Sequence, residues 1–196
     1  MKKSLVIIIV LAALVGIVFF WYTGTFNKLV TADEAVTAQW GNVESQYQRR
    51  SDLIPNLVST VKGYATHEEK TLTEVVEARA KATQTTVDPT NITPEALAKY
   101  QAAQSGVGSA LNRLLMTVEN YPDLKANQNF LDLQAQLEGT ENRIATERMR
   151  FNEEAKKFNT LMRKFPASIV ANMGGFQAKP YFKSEEGAEK APKVEF

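Results

Sequence analysis

Apolar residues divide the chain into one uninterrupted stretch and three later stretches in which they recur at helical spacing. The uninterrupted stretch, LVIIIVLAALVGIVFFWY at residues 5–22, contains no charged residue. As an α-helix it would be about 27 Å long, just enough to cross the hydrocarbon core of a bilayer. It ends in FFWY, an aromatic cluster typical of a membrane interface. We therefore predict that residues 1–23 form a single transmembrane anchor.

A cleaved signal peptide is the alternative for this segment. Signal peptides have shorter apolar runs that end in small residues, whereas this run leads into FFWYTGTF, so a retained anchor is favoured. Lys2 and Lys3 precede the apolar stretch, and only Lys28 follows it closely. This charge bias predicts a single-pass protein of the inner (cytoplasmic) membrane, with a cytoplasmic N-terminus and with residues 24–196 in the periplasm or otherwise outside.

From residue 36 onward, apolar residues recur at alternating steps of four and three. This coiled-coil-like period is sustained over about six heptads, and β-strands do not produce it. It predicts a helix over residues 27–83, about 85 Å long. The apolar seam consists of Val36, Trp40, Val43, Tyr47, Ile54, Leu57, Val61, Tyr64, Val75 and Ala78. Three positions of the same seam are polar: Arg50, Glu68 and Thr71.

A Thr-rich break with two prolines follows at residues 83–95. It ends in a helix start, with Thr93 as the N-cap and Pro94 at the first helical position. Two more seams follow, at residues 97–121 and 130–165, separated by a turn at Pro122.

Three amphipathic segments with short connections predict an all-α fold. We expect an antiparallel bundle of three to four long helices over residues 24–182, following the transmembrane helix. The remaining residues, 183–196, are charged and poor in apolar side chains, and they are predicted to be a disordered tail.

Pro55 interrupts the first seam, within the stretch RRSDLIPNLV. In a helix it cannot donate to the carbonyl of Ser51, and its ring crowds that carbonyl, at a cost of about 3 kcal/mol. One interpretation is that a new helix starts here with Asp52 as its N-cap. The other is a continuous helix kinked near Pro55, in which a side chain of Ser51, Asp52 or Asn56 solvates the freed carbonyl. The seam keeps its phase across the proline, which favours the continuous helix.

The same stretch also resembles a signature of the LemA family of bacterial membrane-anchored proteins. The resemblance rests on RRSDLIPNLVSTVKGYATHEEKTL with VEARAKA after it, on YPDLKANQNFLDLQAQLEGTENRIATERMRFNEEAKKFN, and on FPASIVANMGGF with PYF. It covers nearly the whole chain after the apolar stretch, except the linker TQTTVDPTNITPE and the C-terminal tail. It implies a single-span anchor followed by a helical bundle, and it implies no particular reaction.

Composition argues against several kinds of chemistry. The chain has no cysteine, so it forms no disulfide and offers no thiolate. Its one histidine, His67, lacks the second histidine that a helical zinc site or a Glu-x-x-His di-iron site requires. A net charge of +1 provides no general attraction for nucleic acid. We predict no cofactor, no metal and no nucleic-acid partner.

Charged residues at seam positions are the best candidates for a functional site. Arg50 and Glu147 stand where apolar side chains are expected, and an unpaired buried charge is costly. Either they are exposed where the bundle is locally open, or they pair across helices and set the register. The second alternative predicts that Arg50 meets Glu147 or Glu154 of the third segment. The residues predicted to matter for structure or interaction, none of them catalytic, are Arg50, Asp52, Pro55, Asn56 and Glu147.

These observations favour a non-enzymatic function. The chain is predicted to be anchored in the lipid bilayer through residues 5–22 and to act through helix–helix contacts, as a scaffold, an adaptor or a self-associating homo-oligomer. The first alternative is a ligand-binding bundle or a carboxylate-dependent enzyme that uses Arg50 and Glu147. The second alternative is a lipid-sensing or membrane-remodelling protein.

Overall fold

A computed structural model describes residues 2–65 and 67–183, and this part of the chain is helical with no strand. The predicted all-α class is confirmed. The predicted tail lies outside the described residues except for its first position, Lys183. The helices are α1 (Lys2–Lys62), α2 (Glu69–Gln84), α3 (Pro94–Val118), α4 (Pro122–Lys125), α5 (Gln128–Arg163) and α6 (Ala167–Met173).

Helix α1 contains both the apolar stretch and the first long helix of the bundle. It has 61 residues, about 92 Å as a straight helix, and it runs without interruption through the predicted boundary at residue 23. Its most apolar window of 18 residues has a mean hydropathy of 3.0, and none of that window is buried. By length and composition, this is the one segment among the described residues that could cross a membrane.

Pro55 lies inside α1, so the expectation of a continuous helix through the proline is confirmed. The alternative in which Asp52 caps a new helix is wrong. The carbonyl of Ser51, which Pro55 leaves without its helical donor, accepts a hydrogen bond from Nε of Arg79 at 2.8 Å. The expected donors were side chains of α1 itself, whereas the observed donor comes from α2.

The predicted helix over residues 27–83 is wrong at its far end, because α1 stops at Lys62 and the chain turns back. Gly63 begins the turn, and its low helix propensity favours an end to the helix there. The seam also changes phase there, since Tyr64 is exposed whereas Ala65 is buried. Helix α2 then returns along α1. Both helices direct apolar residues into one core. The apolar positions of α1 and α2 therefore continue the same spacing in the sequence, although they belong to two helices.

The long helices pack as antiparallel neighbours. Helix α5 runs against α1, with Gln39 opposite Glu147 and Tyr64 opposite Asn127. Helix α3 runs against α2, with Arg113 opposite Glu74. The N-cap predicted at Thr93 is confirmed, because its Oγ1 accepts from the N–H of Ala96 at 3.1 Å. The result is the expected antiparallel bundle, built from four long helices.

The buried apolar residues form two clusters along the bundle. The cluster nearer the apolar stretch of α1 is aromatic, and Trp40 is its centre. The Trp40 ring lies 5.1 Å from Tyr100, 5.8 Å from Phe151 and 5.9 Å from Phe182, measured between ring centroids. The second cluster, nearer the α1–α2 turn, is aliphatic and includes Ile54.

Beyond α6 the chain returns along the bundle in an extended conformation, held by two asparagines of α5. Asn159 accepts from the N–H of Lys179 at 2.9 Å and donates to its carbonyl at 2.8 Å. Asn152 bonds Phe182 in the same way, at 2.8 and 3.0 Å. Each side-chain amide thus satisfies both backbone groups of one residue. The bonds from Asn152 position Phe182 so that its ring packs in the aromatic cluster.

Candidate functional site

Arg50 lies in the middle of the bundle and ties three helices together. It projects from α1, and its side chain is only 4% exposed. Its guanidinium donates to Oε1 of Glu141 on α5 at 2.9 Å. It also donates to the side-chain oxygen of Gln104 on α3 at 2.7 Å and to the carbonyl of Gln104 at 2.9 Å. We refer to Arg50, Gln104 and Glu141 as the Arg50 cluster.

The Arg50 cluster lies between the aromatic and aliphatic core clusters. Tyr47 belongs to the first, and its ring centroid lies 5.0 Å from the guanidinium carbon of Arg50, within cation–π range. Ile54, one turn further along α1, belongs to the second. A charge is therefore accommodated in the core because α3 and α5 supply acceptors and α1 supplies an aromatic face.

The cluster opens to solvent on one side. A cleft of about 270 Å³ lies between α3 and α5, with Tyr47 and Arg50 at its base and Leu115, Leu137 and Arg148 among its walls. The Glu141 side chain lines this cleft and is 47% exposed, whereas Gln104 is buried. The guanidinium thus has one deeply buried partner and one partner that solvent can reach.

Burial raises the pKa of Tyr100, which packs against Tyr47 beside the cluster. The negative charge of Glu44 acts in the same direction, whereas a side-chain hydrogen bond with Gln104 acts in the opposite direction. Tyr100 is therefore neutral at physiological pH and serves as a packing and hydrogen-bonding group.

The structure selects between the two predicted environments of Arg50, because Arg50 is buried and paired. Its carboxylate lies on α5, as the pairing alternative expects, but it is Glu141 and not Glu147 or Glu154. Glu147 lies six residues further along α5, about 9 Å away, and accepts from Gln39 at 2.6 Å and from Arg150 at 2.8 Å. The antiparallel register of α1 and α5 brings Glu141, rather than Glu147, to the level of Arg50.

The other predicted residues lie next to the cluster without joining it. Asp52 accepts from the side chain of Gln48 at 2.8 Å on the exposed face of α1. The carbonyl of Asn56 accepts from Thr60 at 2.9 Å. Pro55 acts through the freed carbonyl of Ser51. Their predicted roles in interaction remain predictions.

Three residues of this region were missed as site residues: Gln104, Glu141 and Arg79. Gln104 gave a signal, since it is a polar residue at an apolar seam position of α3. Glu141 and Arg79 gave no such signal, because each lies next to an apolar seam position and not on it. They meet Arg50 and the Ser51 carbonyl only because of how the helices are aligned along one another. Among the described residues, no group of histidine, aspartate and glutamate side chains is arranged to hold a metal ion.

A second concave surface lies at the far end of the bundle, where α2 folds back on α1. We call it the distal groove, and its residues include Val58 and Lys62 of α1 with Leu72 and Val76 of α2. Val76 is 47% exposed at its rim. This surface is apolar at its centre and charged at one end, which is the composition of many helix-binding grooves.

Comparison with known proteins places these features in a family. The sequence model described as the LemA family matches residues 39–196. Magnetosome protein MamQ 2 of Paramagnetospirillum magneticum is 27% identical over 84% of this chain and 66% of its own length. Magnetosome protein MamQ of Magnetospirillum gryphiswaldense is 28% identical over 80% of this chain and 64% of its own. Protein LemA of Metamycoplasma hominis is 26% identical over 84% of this chain and 74% of its own.

The chain thus spans just under two thirds of the MamQ proteins it matches. None of these names is that of an enzyme. The match to the family model includes the Arg50 cluster, the distal groove and the return segment that Asn152 and Asn159 hold. Together with the apolar stretch of α1, these likenesses suggest a membrane-associated helical protein.

Proposed function

The chain belongs to the LemA family, and we propose that it is a membrane-tethered helical bundle that works through contacts with other helices rather than by catalysis. It serves as a scaffold, an adaptor or a self-associating module. The observation that carries this proposal is the continuity of α1, which passes from the apolar stretch into the bundle core without a linker. A tether built in this way sets how far along the α1 axis the bundle stands from the bilayer.

The tether itself is part of the proposal. Residues 5–22 cross the inner membrane, Lys2 and Lys3 stay in the cytoplasm, and the bundle stands outside. Val58, in the distal groove, follows Tyr22 by 36 residues, which is about 54 Å along a helix. The rigid rod would therefore present the groove well clear of the lipid headgroups.

The Arg50 cluster supports a structural role for the charged centre. Nη1 and Nη2 of Arg50 already donate to protein acceptors on α3 and α5. The cluster joins α1, α3 and α5 at one level and sets their register. A bundle with a defined register presents a defined outer surface to a partner.

Cysteine crosslinking in native membranes tests the proposal, and the cysteine-free chain permits single-site variants. The full chain carries Val76→Cys at the distal groove or Met149→Cys, a 61% exposed residue on α5, as the matched control. A short bifunctional reagent is expected to give one discrete adduct through position 76 and none through position 149. Absence of any adduct at position 76, or equal adducts at both positions, would contradict the proposed interaction surface.

A second candidate function is binding of an anionic small molecule at the Arg50 cleft. The observation that favours it is a buried guanidinium at the base of an open cleft, whose carboxylate partner is half exposed and therefore displaceable. A ligand at one hundred times its Kd would stabilise the fold by about 2.7 kcal/mol. Thermal unfolding of the full chain in detergent with carboxylate and phosphate metabolites tests this, with Arg50→Met as the control. An unchanged melting temperature across the set would contradict it.

A further inference from the structure

The end of the bundle nearest the apolar stretch exposes a row of large apolar side chains. Phe165, Ile169 and Met173 are spaced four residues apart and are 82%, 48% and 72% exposed. Ala167, Val170 and Ala171 of the same segment are buried against the bundle. Helix α6 therefore uses one face for packing and leaves the other, strongly apolar face uncovered by the described chain. We call Phe165, Ile169 and Met173 the apolar row.

The apolar row lies beside the part of α1 that is predicted to be in the membrane. Met173 lines an open hollow with residues of α1 that extend from Leu14 to Tyr22. Leu14 precedes Tyr22, the last residue of the apolar stretch, by eight positions, about 12 Å along the helix. Met173 is thus level with the outer portion of that stretch. Interfacial helices bury their apolar faces about 5–10 Å into a bilayer, and this depth falls within the distance of about 12 Å between Tyr22 and Leu14.

Aromatic contacts hold α6 at this level. The Phe26 ring of α1 lies 5.5 Å from Phe176 and 6.2 Å from Tyr22, between centroids. Gly174, which follows α6, comes so close to these rings that an added Cβ would lie 2.8 Å from Phe176 and 3.1 Å from Phe26. The junction therefore requires glycine, and it fixes the apolar row against α1.

The charge around the apolar row suits a bilayer that contains anionic lipid. Residues 155–183 include no aspartate or glutamate. Lys179 is buried and paired with Asp33, whereas Arg163 and Lys164, directly before Phe165, are exposed. Basic residues next to an apolar face are the pattern of a surface that binds lipid headgroups and inserts beneath them. Of the other basic residues in this range, Lys157 is paired with Glu154, and the backbone of Lys183 lies beside Gln101 and Arg148. Arg163 and Lys164 are therefore the basic residues that flank the apolar row.

We propose that the apolar row inserts into the bilayer beside α1 as a second membrane contact. This inference rests on the proposed tether through residues 5–22 and goes beyond it. One spanning helix alone would leave the bundle free to rotate about the helix axis and to tilt. A second contact removes both freedoms, so one side of the bundle faces the membrane and the other faces away.

Spin labels report directly on this contact in the full chain reconstituted in nanodiscs of phosphatidylcholine and phosphatidylglycerol. Three single-cysteine variants are labelled: Met173→Cys in the apolar row, Val10→Cys in the apolar stretch, and Met149→Cys on α5. Met149 is the matched control, because it is a methionine of similar exposure, 61%, that lies further from the apolar stretch of α1. The measurement is the collision rate of each label with oxygen, which concentrates in lipid, relative to a water-soluble nickel chelate.

The expected result is a several-fold higher oxygen-to-nickel ratio at position 173 than at position 149, approaching the ratio at position 10. A lipid-type ratio at position 10 with a water-type ratio at position 173 would overturn the second contact and leave the tether intact. A water-type ratio at position 10 would overturn both. Low accessibility to both reagents at position 173 would mean that protein covers the apolar row, which also contradicts the proposal.

Discussion

Replacing Arg50 with methionine tests whether the Arg50 cluster holds the bundle together. Methionine has a similar length and keeps most of the packing, but it removes three hydrogen bonds and the contact with the Tyr47 ring. The loss falls unequally on the two partners. Gln104 is buried, so its side-chain oxygen loses a charged donor that water cannot replace, whereas Glu141 is 47% exposed and regains water.

The magnitude follows from these environments. An orphaned buried acceptor costs about 1–3 kcal/mol, and the lost cation–π contact adds about 0.5–2 kcal/mol. The methionine side chain offsets part of this by burying apolar surface. We expect Arg50→Met to lower the free energy of unfolding by about 2–4 kcal/mol. Glu141→Gln should cost about 1 kcal/mol or less, because half-exposed ion pairs contribute little.

Urea unfolding of the full chain in detergent measures these values. Trp40 fluorescence follows the bundle core, and a Trp21→Phe background removes the signal of the apolar stretch. Adding Gln104→Leu to Arg50→Met removes the orphaned acceptor as well, so the double variant should be less destabilised than the sum by about 1–3 kcal/mol. A loss under about 1 kcal/mol for Arg50→Met, with strictly additive effects, would refute a structural role for the cluster.

Three further predictions concern the surroundings of the cluster. Arg79→Met should cost about 1–3 kcal/mol, because the Ser51 carbonyl loses its donor. The cost should be smaller in a Pro55→Ala background, where residue 55 regains an N–H. A double-mutant cycle by urea unfolding that shows no coupling would contradict this. Phe151→Ala should cost about 3–5 kcal/mol in the same assay, against about 0.5 kcal/mol or less for the exposed neighbour Met149→Ala. Because its pKa is raised on folding, Tyr100 contributes stability that is full below pH of about 10 and is lost as the pH rises above that value; Tyr100→Phe should flatten stability measured across that range, and an unchanged pH profile would count against it.

Periodicity was sufficient to predict the helical bundle. The steps of four and three along α1, α3 and α5 report which side of each helix is buried, and residues such as Val36, Trp40 and Leu114 are fully buried. Retained phase also identified Pro55 as internal to a helix. Phase is informative there because the residues before and after the proline pack against the same neighbouring helices.

Periodicity failed where two helices direct their stripes into one core. Glycine at position 63 was the available sign of the turn, but the later seam residue Val75 still matched the period. The partners of Arg50 and of the Ser51 carbonyl could not be predicted for a related reason. They depend on how α2, α3 and α5 are placed along α1, and a one-dimensional pattern contains no information on the offset between helices.

The proposed tether depends above all on α1 being one rigid helix from the apolar stretch into the bundle. Gly16 and Gly41 lie on either side of the proposed membrane interface, and a Cβ added at either meets nothing within 4 Å, so both accept cysteine. Spin labels at the two positions, in nanodiscs, give their separation by pulsed electron paramagnetic resonance. A rigid α1 gives one narrow distribution near 38 Å, from 25 residues at about 1.5 Å each. A broad distribution, or a mean much shorter than this value, would contradict a rigid tether.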